Sequence, residues 1–480
     1  MAAETNRVSI ETVHIQTLPP SRSSADRRAE PIPGAAPQDN FENRTADVSQ
    51  CSVADDNNGE PRYSGFFSPG LASVRRQYFL IIARAVLLIS VLIWVSAPVY
   101  WGALSNSAKR SKNLEAWFID RDQSRIGQAI WQAFKNNTLP GPHLNWLSMD
   151  PLAMGDDSSV SGLIAEEHAW VAVVIEANTT TTLTNARVNG DKNYDPASAI
   201  KMFYSQARNE IATANYIVPI TTNLLQFTTS AYATSSAQRY FAQIRGTGDT
   251  NDTAVQMIAQ APQTISPAIS WSVVNVRPYT APAAQAVTLV GNIYLCIYAF
   301  MITMATATAR DLISPHMQFL PMSYALVSMA FHIPFSAKFS EGGGFMLFFC
   351  YIYLGMAALG LSMESMITIL TPRFAPFFLF ILIIYNISPV VLPSELQAPF
   401  YRYGDGFPIR NLSQALRTIM FNTKSSLGRN AAVLVAWIIM SCATMTIFTW
   451  LIRRREHVRL RRIAEVDSSG SKKDSQEEQK

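Results

Sequence analysis

The stretch Phe79–Trp101, FLIIARAVLLISVLIWVSAPVYW, decides the architecture of this chain. A run of this length, at 1.5 Å rise per residue, covers a hydrocarbon core about 30 Å thick. Arg75 and Arg76 precede it, and it ends in Tyr100 and Trp101, an aromatic pair suited to a membrane surface. It begins too far into the chain to be a cleaved signal peptide. Five further apolar runs follow only after Ala286: Ala286–Thr308, Gln318–Phe335, Phe345–Leu370, Phe374–Ser394 and Ala431–Ile452. The second of these five carries Pro321, His332 and Pro334 and is the least regular.

One span, a long polar interval and five clustered spans give the expected fold class. It is an α-helical polytopic membrane protein with six transmembrane helices and an α+β extracytoplasmic domain inserted between helices 1 and 2. The expected divisions are a disordered cytosolic tail over 1–74, the first span over 75–101, the extracytoplasmic domain over 102–285 and a five-helix bundle over 286–452. A basic and then disordered cytosolic tail occupies 453–480. Of the 480 residues 48% are hydrophobic and 15% charged, with a formal charge of +4, a balance too mild to suggest nucleic acid. Low apolar content and no sustained period in the first seventy residues, and again in EVDSSGSKKDSQEEQK, predict segments that cannot offset the entropy of ordering.

Orientation follows from the short flanks. Arg75, Arg76, Arg310, Arg373 and the arginines from Arg453 to Arg462 all fall on one side of a six-span layout, which makes both termini cytoplasmic. The connection Glu395–Asn430 is an exception, carrying Arg402, Arg410, Arg417, Lys424 and Arg429 on the opposite side. Within it, 407–421 places Leu412, Ala415, Leu416, Ile419 and Met420 on one helical face, with Arg410, Gln414 and Arg417 elsewhere. That pattern suits a short amphipathic helix in the outer interface, its arginines meeting lipid phosphates.

In the interval, Leu114–Ile119, Trp170–Glu176 and Ile265–Val276 read as strands, rich in branched and aromatic residues between polar turns. Ala199–Tyr216 puts Ile200, Phe203, Tyr204, Ala207 and Ile211 at helical spacing, and Ile217–Ile244 continues as one broken helix or two consecutive ones. Helices covering one face of a small sheet are expected. Asn136, Asn178 and Asn251 head N-glycosylation sequons in this interval, and Asn411 heads a fourth in the outer connection. None of Cys51, Cys296, Cys350 and Cys442 lies in the interval, so this domain is expected to hold without disulfides.

Four blocks carry a family resemblance: APVYWGALSNSAKRSKNLEAWFIDRDQSRIGQAI (97–130), YDPASAIKMFYSQARNEIATANYIVP (194–219), VRPYTAPAAQAVTLVGNIYLCI (276–297) and FPIRNLSQALRTIMFNTKSSLGRNAAVLVAW (407–437). Together they resemble the fungal nitrosoguanidine-resistance membrane proteins over nearly everything from Arg75 to Arg455. That group, itself built around a domain of unknown function, is distantly similar to type-2 ABC exporter permeases and to the bacterial phage-infection protein. The resemblance implies export of, or resistance to, hydrophobic toxicants, or handling of lipids, at the plasma membrane. It also implies that the outer loop near Arg410, Arg417 and Phe421 lies by a lipid-facing exit; a plain amphipathic cap over the bundle is the alternative. A second class of function is a non-transporting scaffold or regulator of lipid or transporter distribution.

The chain departs from an ABC transporter in having no G-x-x-x-x-G-K-[ST] phosphate loop. A pump of this design therefore needs a separate ATPase subunit or an ion gradient, and other membrane proteins and an oligomer are possible partners beside the lipid bilayer. Ionisable groups inside spans are costly and few. Arg84 lies about 7 Å inside the first span and Glu364 about 9 Å inside the fourth, both from the cytoplasmic side, so they form a candidate pair for coupling or gating. The alternative is that Arg84 snorkels and Glu364 meets water. Asn292 and Asn386 read as helix glue, and Gly355, Ala357, Ala358 and Gly360 as a close-packing stripe. His14, His143, His168, His316, His332 and His457 are scattered, without a metal cluster, and no G-x-S-x-G elbow occurs. No enzyme activity, cofactor or metal is expected.

Overall fold

The computed structural model describes residues 69–137, 139–246, 251–308, 326–328, 333–370 and 374–477. Two compact units divide it, Met1–Tyr78 and Phe79–Lys480. Helix α1, Ala72–Leu104, contains the opening stretch and extends it by about two turns at its start. Of the residues in its apolar stretch only 6% are buried, so that stretch is largely exposed. It is held near its end, where Tyr401 Oη donates to Val99 O at 2.6 Å and packs beside Gly102.

The interval folds around a five-stranded sheet. In chain order come β1 (Glu115–Asp120), α2 (Arg125–Lys135), β2 (Asn145–Met149), α3 (Asp157–Ala165), β3 (Val171–Ile175), α4 (Thr179–Asn189) and β4 (Ile200–Tyr204). Then α5 (Val218–Gly246), α6 (Asn251–Gln260) and β5 (Trp271–Asn275) complete it. The strand order is β2-β1-β3-β4-β5. The β1–β2, β1–β3 and β4–β5 pairs are parallel, and β3–β4 is antiparallel.

Strand period sorts the side chains to two faces. Ala116, Phe118, Val171, Val173, Ile175, Ile200 and Met202 join Ile126, Ile130 and Phe134 of α2 and Leu183 of α4. The alternate residues Trp117, Ile119, Ala172, Val174 and Phe203 pack with Val160 and Ile164 of α3. Both faces are thus covered, which corrects the expectation of helices on one face. Each large side chain buried this way contributes about 1.5–3 kcal/mol, so neither face is expendable. Gly127 lets α2 approach β1, because a Cβ there would overlap the carboxylate of Asp120.

Three further readings need correction. Ala199–Tyr216 is not one helix: Ile200–Tyr204 pairs with β3 over its full length, a 3-10 turn follows at Gln206–Arg208, and α-helix begins only at Glu210. β2 was not anticipated, and only Trp271–Asn275 of Ile265–Val276 forms a strand. The final helix does not stop at the basic cluster but runs to Glu477, where disorder was expected. Elongating an existing helix avoids the nucleation cost, and Gly470 alone is a weak stop.

Among the described residues the remaining longer α-helices are α7 (Gly291–Thr308), α8 (Glu341–Leu370), α9 (Ala375–Val391), α10 (Pro408–Phe421) and α11 (Leu427–Glu477). Among the described residues four helices, α1, α7 with its leading turn, α8 and α11, are long and apolar enough to cross a membrane; α9 is apolar but shorter. Most of the expected span Gln318–Phe335 lies outside the described residues. The small-residue stripe of α8 does bring helices close. Gly355 meets Leu412 of α10, where a Cβ would sit 2.6 Å from Cδ2, and Gly360 faces Ala299 of α7.

Candidate functional site

Helix α10 organises the region where sheet and bundle meet. Pro408 opens it without wasting a hydrogen bond, since its missing N–H falls in the unpaired first turn, and Asn422 closes it in the left-handed conformation. Twelve of its fourteen residues are buried. Its apolar side faces α8, α9 and α11, as Leu412 against Gly355 illustrates. On its polar side Arg417 reaches the sheet domain, while Arg410, Asn411 and Ser413 bond the loop before it, the end of α9 and the turn leading into α7. An outer-interface helix with lipid-facing arginines is therefore not its setting: protein, not lipid, meets both of its sides.

The individual side chains bear this out. Arg417 Nη1 donates to Glu210 Oε2 at 2.5 Å and to Ala207 O at 3.1 Å. Phe421 is 5% exposed and stacks on Tyr279 at 4.5 Å between ring centroids. Burial pushes the Tyr279 hydroxyl up to about 12. Arg410 is bound to Asp405 Oδ1 at 3.2 Å and to Pro389 O. Asn411 is 1% exposed, and its Nδ2 donates to the carbonyls of Asp405 and Phe407. Its amide is thereby committed, so Asn411 is not an accessible glycan acceptor. Asn136 and Asn178 are exposed, whereas the side chain of Asn251 lies outside the described residues.

A polar cleft of about 210 Å³ opens between Trp170 and Arg208 of the sheet domain, the end of α9, one side of α10 and the start of α11. Arg208 lines it. The guanidinium lies 3.6 Å from the Trp170 ring centroid, donates to Ala169 O, and contacts Glu395 and Glu167 at 3.3 and 3.8 Å. Burial holds the Arg208 guanidinium below its usual range and raises the Glu167 carboxyl, against the opposing pull of nearby Arg208, Lys424 and Arg417. Arg277 Nε donates to Asn422 O at 2.8 Å, adding another tie between the two halves. Sequence reasoning found Arg410 and Arg417 but missed Arg208, whose partners come from two distant segments, 167–170 and Glu395.

A second opening, about 340 Å³, lies between α8, α9 and α11. Phe378, Ile381, Tyr385 and Trp437 make it largely apolar, with Ser362, Ser365, Asn386, Ser441 and Thr444 as polar points. Ser362 and Ser441 hydroxyls lie 2.9 Å apart. Asn386 donates to Leu382 O and accepts weakly from Ile409 N at 3.4 Å, so it joins α9 to α10. The expected Arg84–Glu364 pair is not formed. Arg84 is exposed on α1, Glu364 is half-buried on α8, and among the described residues no ion pair joins them. The sparse packing of α1 is the reason.

Among the described residues no group of three or more His, Cys, Asp and Glu side chains could hold a metal. No solved structure matches the chain. A Saccharomyces cerevisiae protein, the uncharacterized endoplasmic reticulum membrane protein YJR015W, is 24% identical over 449 residues, covering 80% of this chain and 82% of that protein. A family model described as "Protein of unknown function (DUF3533)" matches residues 85–322 and 316–443, which is more than half of the chain, and the chain belongs to that family.

Proposed function

We propose that this chain is a six-span membrane permease for hydrophobic toxicants or lipids, export-like in layout, with no ATPase of its own and no enzyme activity. The observation that carries the reading is the opening between α8, α9 and α11: an apolar lining with a few hydroxyl and amide groups suits an amphiphilic passenger better than an ion or a sugar. Its volume lies at the low end for small-molecule sites, about 300–1,000 Å³.

The layout has independent support. α1 ends and α11 begins near the sheet domain, through Ser107–Tyr216 and Arg277–Asn422, so both helices meet that domain at one end. That geometry favours both termini on one side, cytoplasmic by the arginine bias, and the sheet domain on the other. Tyr351 of α8 bonds Leu427 O at 2.6 Å, which puts the early part of α8 on the sheet side too. The turn leading into α7 lies on that side as well, through Thr288, which bonds Tyr279 and Ser413. The nitrosoguanidine-resistance resemblance favours a role in resistance. For the compartment we favour the endoplasmic reticulum membrane over the plasma membrane expected at first, because the yeast relative is named for the former.

The test is movement of labelled lipid or hydrophobic compound by purified protein in liposomes, with and without ATP, a proton gradient or an added ATPase subunit. Ser441→Leu, which fills the opening, should reduce transport with the protein still folded. Absence of movement under every condition would sink the permease reading. The exposed apolar surface of α1 favours one alternative, a non-transporting scaffold whose first helix binds other membrane proteins or a second copy. Recovery of a constant set of transporters through α1, with no transport by the chain alone, would support it.

A further inference from the structure

The cleft between the sheet domain and the bundle has more positive charge than its own acids neutralise. Five cationic side chains, Arg208, Arg410, Arg417, Lys424 and Arg429, line it against two lining carboxylates, Glu167 and Glu395. Three of the five are committed. Arg208 is held by Glu395, Glu167 and the Trp170 ring, Arg410 by Asp405, and Arg417 by Glu210. Lys424 and Arg429 are different: both are exposed, both line the cleft, and among the described residues neither forms an ion pair within 4 Å.

Neutral donors stand beside them. Gln414 and Ser426 line the same cleft, and neither side chain is hydrogen-bonded among the described residues. Ser426 lies one turn before Asn430, a fully buried amide whose nitrogen and oxygen both lack partners. A concave, donor-rich site with two uncommitted cations is complementary to an anion with several acceptor oxygens. About 210 Å³ is below the range for drug-sized ligands but admits a phosphate group with a short substituent. The cleft also adjoins the end of α9 and the start of α11, where apolar helix gives way to the polar domain.

We propose that this cleft binds a phosphate-bearing anion, with Lys424 and Arg429 supplying the charge and Gln414 and Ser426 additional hydrogen bonds. The chemistry is shared by a phospholipid headgroup and by free phosphate or a small phosphate ester. The lipid source deepens the permease reading and rests on it only for the passenger's route; the binding itself does not depend on transport.

The experiment uses full-length protein in two arms. In detergent, inorganic phosphate and glycerol phosphate are titrated while the melting temperature is followed. In nanodiscs, pure phosphatidylcholine is compared with phosphatidylcholine containing phosphatidic acid. Stabilisation in the first arm identifies a soluble phosphate, and stabilisation in the second arm alone identifies a headgroup. In either case Lys424→Gln and Arg429→Gln should each weaken the response about tenfold, the loss expected when a charge-assisted hydrogen bond is removed. Lys424→Arg should retain most of it. Because both side chains are exposed, the melting temperature without ligand should be unchanged in the variants, which keeps misfolding apart from lost binding. No stabilisation in either arm, or equal responses in wild type and the double variant, overturns the proposal. Failure of the permease reading is seen separately, as absent transport in liposomes while the phosphate-dependent shift persists.

Discussion

Arg417 of α10 and Glu210, at the start of the helical segment leading into α5, meet at 2.5 Å with side chains only 9% and 12% exposed, although 207 positions separate them. The pair is the most buried of the ion pairs that tie the bundle to the sheet domain. Removing two charges from water is costly, and their attraction offsets that cost only where further hydrogen bonds complete the geometry. Here Ala207 O accepts a second bond from Arg417, while Glu210 Oε1 is buried without a partner. The pair therefore fixes how α10 meets the sheet domain more than it adds to stability.

Breaking one half should be worse than removing both. Arg417→Met leaves Glu210 buried and unpaired, with an expected loss of about 3–5 kcal/mol. Combining it with Glu210→Gln should recover a large part of that loss. Melting temperatures in detergent for the two single variants and the double variant check this; additive losses would show that the two side chains act independently.

The contact of Gly355 with Leu412 predicts a size-dependent effect. Gly355→Ala places a methyl group 2.6 Å from the end of the Leu412 side chain, which must shift, at an expected cost of about 1–3 kcal/mol. Leu412→Ala opens a cavity of its own, yet in combination with Gly355→Ala it should be less damaging than the sum of the two. A thermal double-mutant cycle measures the coupling, and a coupling of zero would remove the contact from the account.

How much of this arrangement the sequence discloses depends on whether local pattern or distant partner sets it. α1, α8 and the apolar first half of α11 are legible because length and hydropathy alone specify them. β4 is not: in IKMFY the apolar residues fit a strand and a helix equally, and what selects the strand is the unpaired edge of β3, to which every residue from Ile200 to Tyr204 is matched. β2 is an edge strand with only part of its surface buried, too mixed to stand out. α10 is legible as an amphipathic helix but not in its setting, since an apolar face reads alike whether lipid or Gly355 covers it. Likewise Arg84 and Glu364 lie at matching depths by arithmetic, and only the sparse packing of α1 separates them.

Asp156 predicts a pH dependence in the sheet domain. It caps α3, accepting from Ser159 N at 2.9 Å and from the Ser159 and Ser158 hydroxyls, and these bonds lower its carboxyl from 3.8 to about 2. A carboxylate depressed in the folded state stabilises fully above its unfolded value and loses that contribution as pH falls through the folded one. Asp156→Ala should thus lower the melting temperature at neutral pH, and the difference from wild type should close as pH drops from 3.8 toward about 2. Asp156→Asn keeps an acceptor for the helix start and should lose less. A gap between wild type and Asp156→Ala that stays constant over this window would contradict the ionised cap.

The sequons separate fold from orientation. Asn178 is exposed at the start of α4 and Asn136 at the end of α2, both on the sheet domain, whereas the Asn411 amide is committed to Asp405 and Phe407 inside the protein. A sheet domain on the secretory side should carry glycans at the exposed positions, and the mobility shift on endoglycosidase treatment should fall away in the Asn136→Gln, Asn178→Gln double variant, apart from any share due to Asn251. Asn411→Gln should leave the shift unchanged, because a glycan there could not coexist with buried α10. A glycan found on Asn411 would contradict the burial of α10, while absence of glycan from all four positions, with reporter tags placing the sheet domain in the cytosol, would reverse the orientation without touching the fold.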